Sequence, residues 1–451
     1  MEKSFRASSF HPPSSSSANA AVSVHPRYPA WVLLDRKAYF ADLENATTAT
    51  ATSTTTGHTV RVTFCLADPP SISHFCVHGP NLKPEHFAVE PQVVFSDKDL
   101  ALLVFPFTGD SNCEYFVYRA GRGNPSLSPI PGTPPGAKNR QYLNMVVGDD
   151  GEFLLAHLCL ASNLPYYDLS IFSSKTGKWV TRTLQAQAPA DQIRGEDLFI
   201  TPHKVISLGG GMVGWVDLWR GVIVCDILAE DPFIYLIPLP KPHFNLSREG
   251  NPKPVRDVTA ANNGYIRFVE MKHYFRREVV DVDDNSGNTF KVTKDLDTLD
   301  KMYDLDLLLL PHEDVARCEQ IIYIRDGWKI RTCHRHISWN YWRKGHSVHV
   351  DGILVGDPKH YRLLPQLVDD YGKSTFRDLT TAYPTFSLNG DHVLYLFTKI
   401  DADDKDAWMV GIDLEQEMVE IPQPYSVERA SYFKLDCVTC AFSQFLNTSP
   451  M

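Results

Sequence analysis

Gly209, Gly211 and Gly214 lie in ISLGGGMVGWVDLWRGVIVCD, residues 206–226, at the G-x-G-x-x-G spacing that can cradle a dinucleotide pyrophosphate. That chemistry needs the glycines to open a helix, whose N-terminal N–H groups meet the phosphates. Here the chain continues Trp215, Val216, Asp217, Leu218, Trp219, Arg220, Gly221, a run of strand formers broken again by glycine. The spacing therefore predicts a β-hairpin with Asp217 to Gly221 at its turn. The glycines read as structural, and no cofactor is expected.

A second string with chemical content is WKIRTCHRHISWNYWRKGHSVHV, residues 328–350, which contains no acid. Cations that meet phosphates, interleaved with aromatics that stack, are what a single-strand or nucleotide-binding surface uses. Lys329, Arg331, Arg335, Trp339, Tyr341, Trp342, Arg343 and Lys344 make up a candidate ligand- or partner-binding surface. The alternative is that the tryptophans, Trp328 included, are strand core and the cations a solvated face.

Other groupings fall short of the chemistry they resemble. Cys333, His334, His336, His346 and His349 have zinc-ligand types. On a strand, however, Cys333 points away from His334 and His336, and His346 opposes His349, so four ligands do not converge. Cys437-x-x-Cys440 is a lone pair without a thioredoxin-like βαβ setting. The acidic stretch DVDDNSGNTF has Ser286 where a calcium loop needs glycine and Val292 where it needs a bidentate Glu. DADDKDAW has Lys405 at a ligand position and Ile412 at the last. PHEDVARC, 311–318, opens like a zinc-protease helix but has Ala316 in place of the second His. There is no G-x-S-x-G elbow and no G-x-x-x-x-G-K loop. Paired carboxylates assembled in space stay open as a hydrolase site.

The elements that must position these residues are short. VVFSDKDLALLVFPF, CEYFVYRAG, EFLLAHLCL, MVGWVDLWRGVIVCDIL and VLYLFTKIDADDKDAWMVGIDLEQEMVEI are β-branched and aromatic runs separated by Asp and Gly turns, with almost no 3.6-residue stripe. Gly177 and Gly221 fall where a hairpin turn needs positive φ. Units of roughly 40 to 50 residues, each of several short strands, predict an all-β, β-propeller-like array of short antiparallel sheets with few helices. Paired β-sandwiches are the alternative. Residues 1–27, with eight serines and a single acid, read as a disordered tail or an organelle transit peptide. One propeller-like domain is expected over 28–441, with a short tail over 442–451. NATTATATSTTTGHT, 45–59, reads as a Thr-rich loop, and GRGNPSLSPIPGTPPGAKN, 121–139, as a Pro/Gly-rich connector.

Composition sets the outer bounds. The 451 residues carry a net charge of -10, which disfavours a general polyanion binder. No run of 18 apolar residues predicts a membrane span. Nine widely spaced cysteines, Cys65, Cys76, Cys113, Cys159, Cys225, Cys318, Cys333, Cys437 and Cys440, read as reduced thiols of a cytoplasmic or nuclear protein. The triplets at Asn45 and Asn245 follow no secretory leader and read as chance matches to the glycosylation signal.

The stretch GWVDLWRGVIVCDILAEDPFIYLIPLP, 214–240, resembles a plant family, expanded in grasses, catalogued as domain of unknown function 1618. WKIRTCHRHISW and HVLYLFTKIDADDKDAWMVGIDLEQ are similar to its downstream elements. The resemblance implies a family core of about 213–350, a β-rich fold and no catalytic residue. Some relatives carry an N-terminal F-box, for which no helical segment precedes residue 90. The reading that results is a non-enzymatic scaffold with a protein partner and no membrane. A hydrolase, or a nucleic-acid or phospholigand binder through 328–350, are the rivals.

Overall fold

Runs of Val, Ile, Leu, Phe and Tyr, closed by Asp, Ser or Gly turns, become strands throughout the computed structural model. It describes residues 5–13, 27–109, 113–135, 142–162, 166–187, 199–241, 250–261, 264–281, 289–291, 321–354, 376–377, 379–401, 404, 406–420, 422–426 and 433–447. The only helical elements among the described residues are short 3-10 turns. None is long and apolar enough to cross a membrane. The chain divides into two compact units, one of residues 1–239, 260–265 and 436–451, the other of 240–259 and 266–435.

In the first unit, β1 (Val32–Asp35), β2 (Tyr39–Phe40), β3 (Ala49–Thr52), β4 (Thr59–Cys65) and β5 (Ile72–His78) form one sheet. β5 is paired in parallel with β1 and antiparallel with β4. Next come three four-stranded meanders. They are β6 (Gln92–Asp97), β7 (Leu100–Phe105), β8 (Glu114–Arg119) and β9 (Ser126–Ile130); then β10 (Leu143–Val147), β11 (Phe153–Leu160), β12 (Tyr166–Ser173) and β13 (Lys178–Gln187); then β14 (Lys204–Gly209), β15 (Met212–Asp217), β16 (Gly221–Asp226) and β17 (Ile234–Pro238). A short parallel pairing of Ala186 with Ile234 joins the last two into eight strands.

One further sheet, lying mainly in the second unit, contains β18 (Arg256–Ala261), β19 (Tyr265–Asp281), β20 (Thr289–Lys291), β21 (Ile321–His336) and β22 (Arg343–His349). The other holds β23 (Thr380–Phe386), β24 (Val393–Lys399), β25 (Asp406–Asp413), β26 (Met418–Val419) and β27 (Gln423–Ser426). The last strand, β28 (Cys437–Cys440), returns to the first sheet and pairs with β1, from Val32 opposite Cys440 to Asp35 opposite Cys437. The fold is all-β, an array of short antiparallel sheets consistent with a propeller-like or sandwich arrangement, as the runs of hairpins predict.

The G-x-G-x-x-G stretch is strand, turn, strand. Gly209, Gly210 and Gly211 turn the chain from β14 to β15 with φ of 81°, 58° and 87°, a left-handed backbone that glycine adopts without strain. Gly214 sits inside β15, where a Cβ would come within 2.8 Å of Ile206. Gly177 has the expected positive φ of 65°. Gly221 corrects the prediction. Its φ is not positive, and glycine is required because a Cβ would stand 2.6 Å from the carbonyl oxygen of Ile237.

Four segments read as loops, connectors or tails contain more ordered structure than their composition implies. Ala49–Thr52, within the Thr-rich stretch, forms β3, since threonine is β-branched and suits a pleated sheet. The turn that follows is held by buried Glu114, which accepts from Ser53 Oγ at 2.6 Å, Thr54 N at 2.7 Å and Thr54 Oγ1 at 2.6 Å. β9 runs through the Pro-rich connector as an outer strand, where Pro129 withholds its donor at little cost. Near the N-terminus, Phe5 and Phe10 pack on Phe40 at 5.0 and 5.9 Å. At the other end, Phe442 is fully buried against Phe64, and Asn447 bonds both backbone polar groups of Tyr28. The Asn245 triplet, Cys318, the PHEDVARC stretch, Ser286, Val292 and Lys405 lie outside the described residues.

Candidate functional site

The 328–350 strip is the β21–β22 hairpin. Trp328 and Ile330 are buried, and Ile330 pairs with Val348 to fix the register. Between Arg331 and Cys333 the ladder slips by one residue. Gly345 and His346 of β22 bulge there, both opposite Thr332, whose Oγ1 accepts from His346 N at 2.8 Å; Gly345 is required because any Cβ would meet Thr332 Oγ1 at 2.4 Å. Across this irregularity the alternation along β21 changes, with Thr332 and Cys333 both buried. Before it, even-numbered residues are buried; after it, Cys333 and Arg335 are buried, while His334 and His336 are partly exposed.

The eight candidate residues therefore divide. Arg331 and Arg335 turn inward. The Arg331 side chain is 15% exposed and lies 3.6 Å from Glu270, which is fully buried and also ion-pairs with equally buried Arg256. Arg335 donates to the carbonyl oxygen of Trp339 and stands 5.6 Å from the Trp342 ring, which meets Phe268 edge-on. Arg335 thus props the connection between the two strands from beneath. Lys329 stays partly exposed opposite His349.

The outer half is the connection itself with the start of β22. The Trp339 and Tyr341 rings are parallel within 5° at 5.4 Å. The Arg343 guanidinium stands 4.6 Å from the Trp339 ring centre and 5.9 Å from that of Tyr341, and donates to the Tyr341 hydroxyl at 3.3 Å. Tyr341, Arg343 and Lys344 are exposed. His334 pairs with Arg343 across the ladder; burial, then the neighbouring guanidinium, hold its proton affinity below the ordinary histidine value. A cation stacked on two aromatics is a rigid amphipathic ridge that can take anions at its edge and apolar groups on its face.

Sequence reasoning passes over Phe268 and Glu270 on β19, which support the inner half. Their i, i+2 spacing in YIRFVEM was the available signal. Of the zinc-like set, His346 instead contacts His392, Nε2 to Nδ1 at 3.1 Å. No group of three or more His, Cys, Asp or Glu able to hold a metal occurs among the described residues. Cys437 and Cys440 are free thiols. Two carboxyls, Asp97 and Glu420, are shifted up, each foremost by burial, and they belong to different units.

Residues 215–395 match the family described as "Protein of unknown function (DUF1618)". No curated protein matches the chain. Among solved structures, the chain is similar to the alpha-L-arabinanase of Penicillium chrysogenum complexed with arabinobiose, at 10% identity and a TM-score of 0.26, over 69% of this chain and 74% of that one. It is also similar to a prolyl endopeptidase, at 8% identity and a TM-score of 0.25, over 74% of this chain and 50% of that one. At such TM-scores neither likeness carries an argument. The segment that resembles the DUF1618 family, residues 215–395, takes in both the Asp217 turn and the β21–β22 hairpin.

Proposed function

We propose that the chain is a non-enzymatic, propeller-like scaffold over 28–441 that receives an acidic segment of a partner protein on the Trp339–Tyr341–Arg343 ridge. The stack of Arg343 over two parallel rings carries the reading. Interface hot spots are enriched in Trp, Tyr and Arg, whose large rigid surfaces lose little entropy on binding. Lys344 adds a second exposed cation, and the whole strip lacks an acid in a chain of net charge -10, so an acidic partner finds a local positive site. The absence of a disulfide among the described cysteines fits a reducing compartment, cytoplasm or nucleus.

Arg335 is the wrong residue to test this with, because it is buried. The informative variants are Trp339→Ala and Arg343→Glu. A fluorescent glutamate-rich peptide is expected to bind the wild type in a salt-sensitive way and to bind either variant at least about tenfold more weakly, a loss of about 1.4 kcal/mol. Equal binding by both variants sinks the proposal. Tighter binding of a single-stranded oligonucleotide than of the peptide overturns the partner class, since stacking and cations serve both.

A further inference from the structure

None of the described cysteines is in a disulfide, and their surroundings sort them. Burial pushes the Cys225 and Cys440 thiols up to about 12, and Cys437 well above the ordinary thiol value. Such sulfurs stay protonated and react slowly. Cys65 lies in a different setting. The antiparallel register sets Cys65 of β4 opposite His74 of β5, and Thr63 opposite Cys76. Residues two apart on a strand share a face, so Cys65, His74 and Cys76 emerge together. They stand on the side turned away from the Val62, Phe64, Phe75 and Val77 core. His74 is buried with its ring 5.5 Å from Tyr39, whose hydroxyl donates to Asp35 at 3.2 Å, so the imidazole is held in place. Cys76 is 2% exposed, whereas Cys65, the last residue of β4, is partly exposed to solvent. A hydrogen bond from the Cys76 thiol, helped by His74, pulls Cys65 down to about 5 against the opposing effect of burial.

We propose that Cys65 and Cys76, aligned with His74 on one face of the first sheet, form a dithiol that hydrogen peroxide oxidises to a disulfide. The Cys65 thiolate attacks one peroxide oxygen, the O–O bond breaks, and the departing hydroxide takes a proton and leaves as water. Cys65 is then a sulfenic acid. The Cys76 sulfur attacks the Cys65 sulfur, the S–O bond breaks, and the Cys76 proton leaves with the hydroxyl as a second water. Two thiols are oxidised to one disulfide, and one peroxide is reduced to two waters. Diagonal cross-strand neighbours have Cβ atoms somewhat under about 7–8 Å apart, against about 3.8 Å in a disulfide. The bond must therefore draw the end of β4 inward, and Cys65, the terminal residue of that strand, is the one placed to move. Small-molecule thiols reverse the bond by exchange.

The test is cysteine mapping of the full chain by mass spectrometry. In untreated protein at neutral pH, iodoacetamide is expected to modify Cys65 at least about tenfold faster than Cys437 or Cys440. After one equivalent of hydrogen peroxide, a peptide pair linked through Cys65 and Cys76 is expected before any other. In Cys76→Ser, dimedone should instead trap a sulfenic acid on Cys65. Replacing His74 with Gln should slow alkylation of Cys65 several-fold while leaving Cys159 unchanged. The wild-type map decides the matter even where a variant does not fold. Cys65 reacting no faster than Cys437, or peroxide leaving Cys65 and Cys76 both free, overturns the proposal.

Discussion

The β15–β16 and β21–β22 hairpins both carry residues that look like chemistry in the sequence, and they use them in opposite ways. In the first, the carboxylate and the first tryptophan face the protein. Asp217, fully buried, accepts from Thr201 N at 3.2 Å, Trp219 N at 2.9 Å and Arg220 N at 3.1 Å, so the carboxylate closes the turn. Trp215, equally buried, donates to the Tyr142 carbonyl at 3.2 Å. In the second hairpin, the bulge opposite Thr332 and the outward connection leave some of the candidate groups turned inward and others in solvent. Spacing along a chain says which residues travel together; a one-residue slip in a ladder says which of them a partner can reach.

The sharpest way to break this contrast is Glu270→Ala. It leaves the Arg256 guanidinium, itself 0% exposed, buried without that carboxylate, and should lower unfolding free energy in urea by about 4 kcal/mol. A loss under about 1 kcal/mol would mean that the inner half of the second hairpin is not braced by this ion pair. Acid provides the next test, on the strand that supports that hairpin. His273 is buried, bonds Thr381 O through Nε2 at 2.6 Å, and is held down to about 4 by burial foremost. Its folded proton affinity is below the ordinary value of 6.5, so the stability it contributes is full above pH 6.5 and is lost as pH falls towards 4. Wild type should lose about 3 kcal/mol more than His273→Gln over that window in urea titrations. The smallest effect belongs to the first hairpin. Gly221→Val should cost about 2 kcal/mol, read as a lower melting temperature, because its side chain has nowhere to go. Ligand binding at the second hairpin should survive that change.

Much of the fold was legible because hairpin signals are local. Asp217 to Gly221 and the Gly177 turn could be placed from four or five residues, since turn chemistry depends on neighbours alone. The exposure of Arg343 against the burial of Arg335 could not, because it hangs on the bulge and on Phe268 and Trp342 beneath it. Nor could the Cys65, His74 and Cys76 trio, whose members meet only through the β4–β5 register. The sequence motif that draws the eye, Cys437-x-x-Cys440, has thiols whose proton affinity is raised above the ordinary value. Local spacing there points away from the reactive sulfur.

The pairing of β28 with β1 has a consequence for how the protein is made. Arg36 and Asp436, which bond at 3.0 Å, are 400 residues apart. A ribosome adding about 5–20 residues per second releases the second strand of that pair roughly 20–80 s after the first. Until then Val32, Leu33 and Leu34, all buried in the finished molecule, lie along an open backbone edge of the nascent chain. An edge left open for that long is a place where the nascent chain can pair with another strand before β28 arrives.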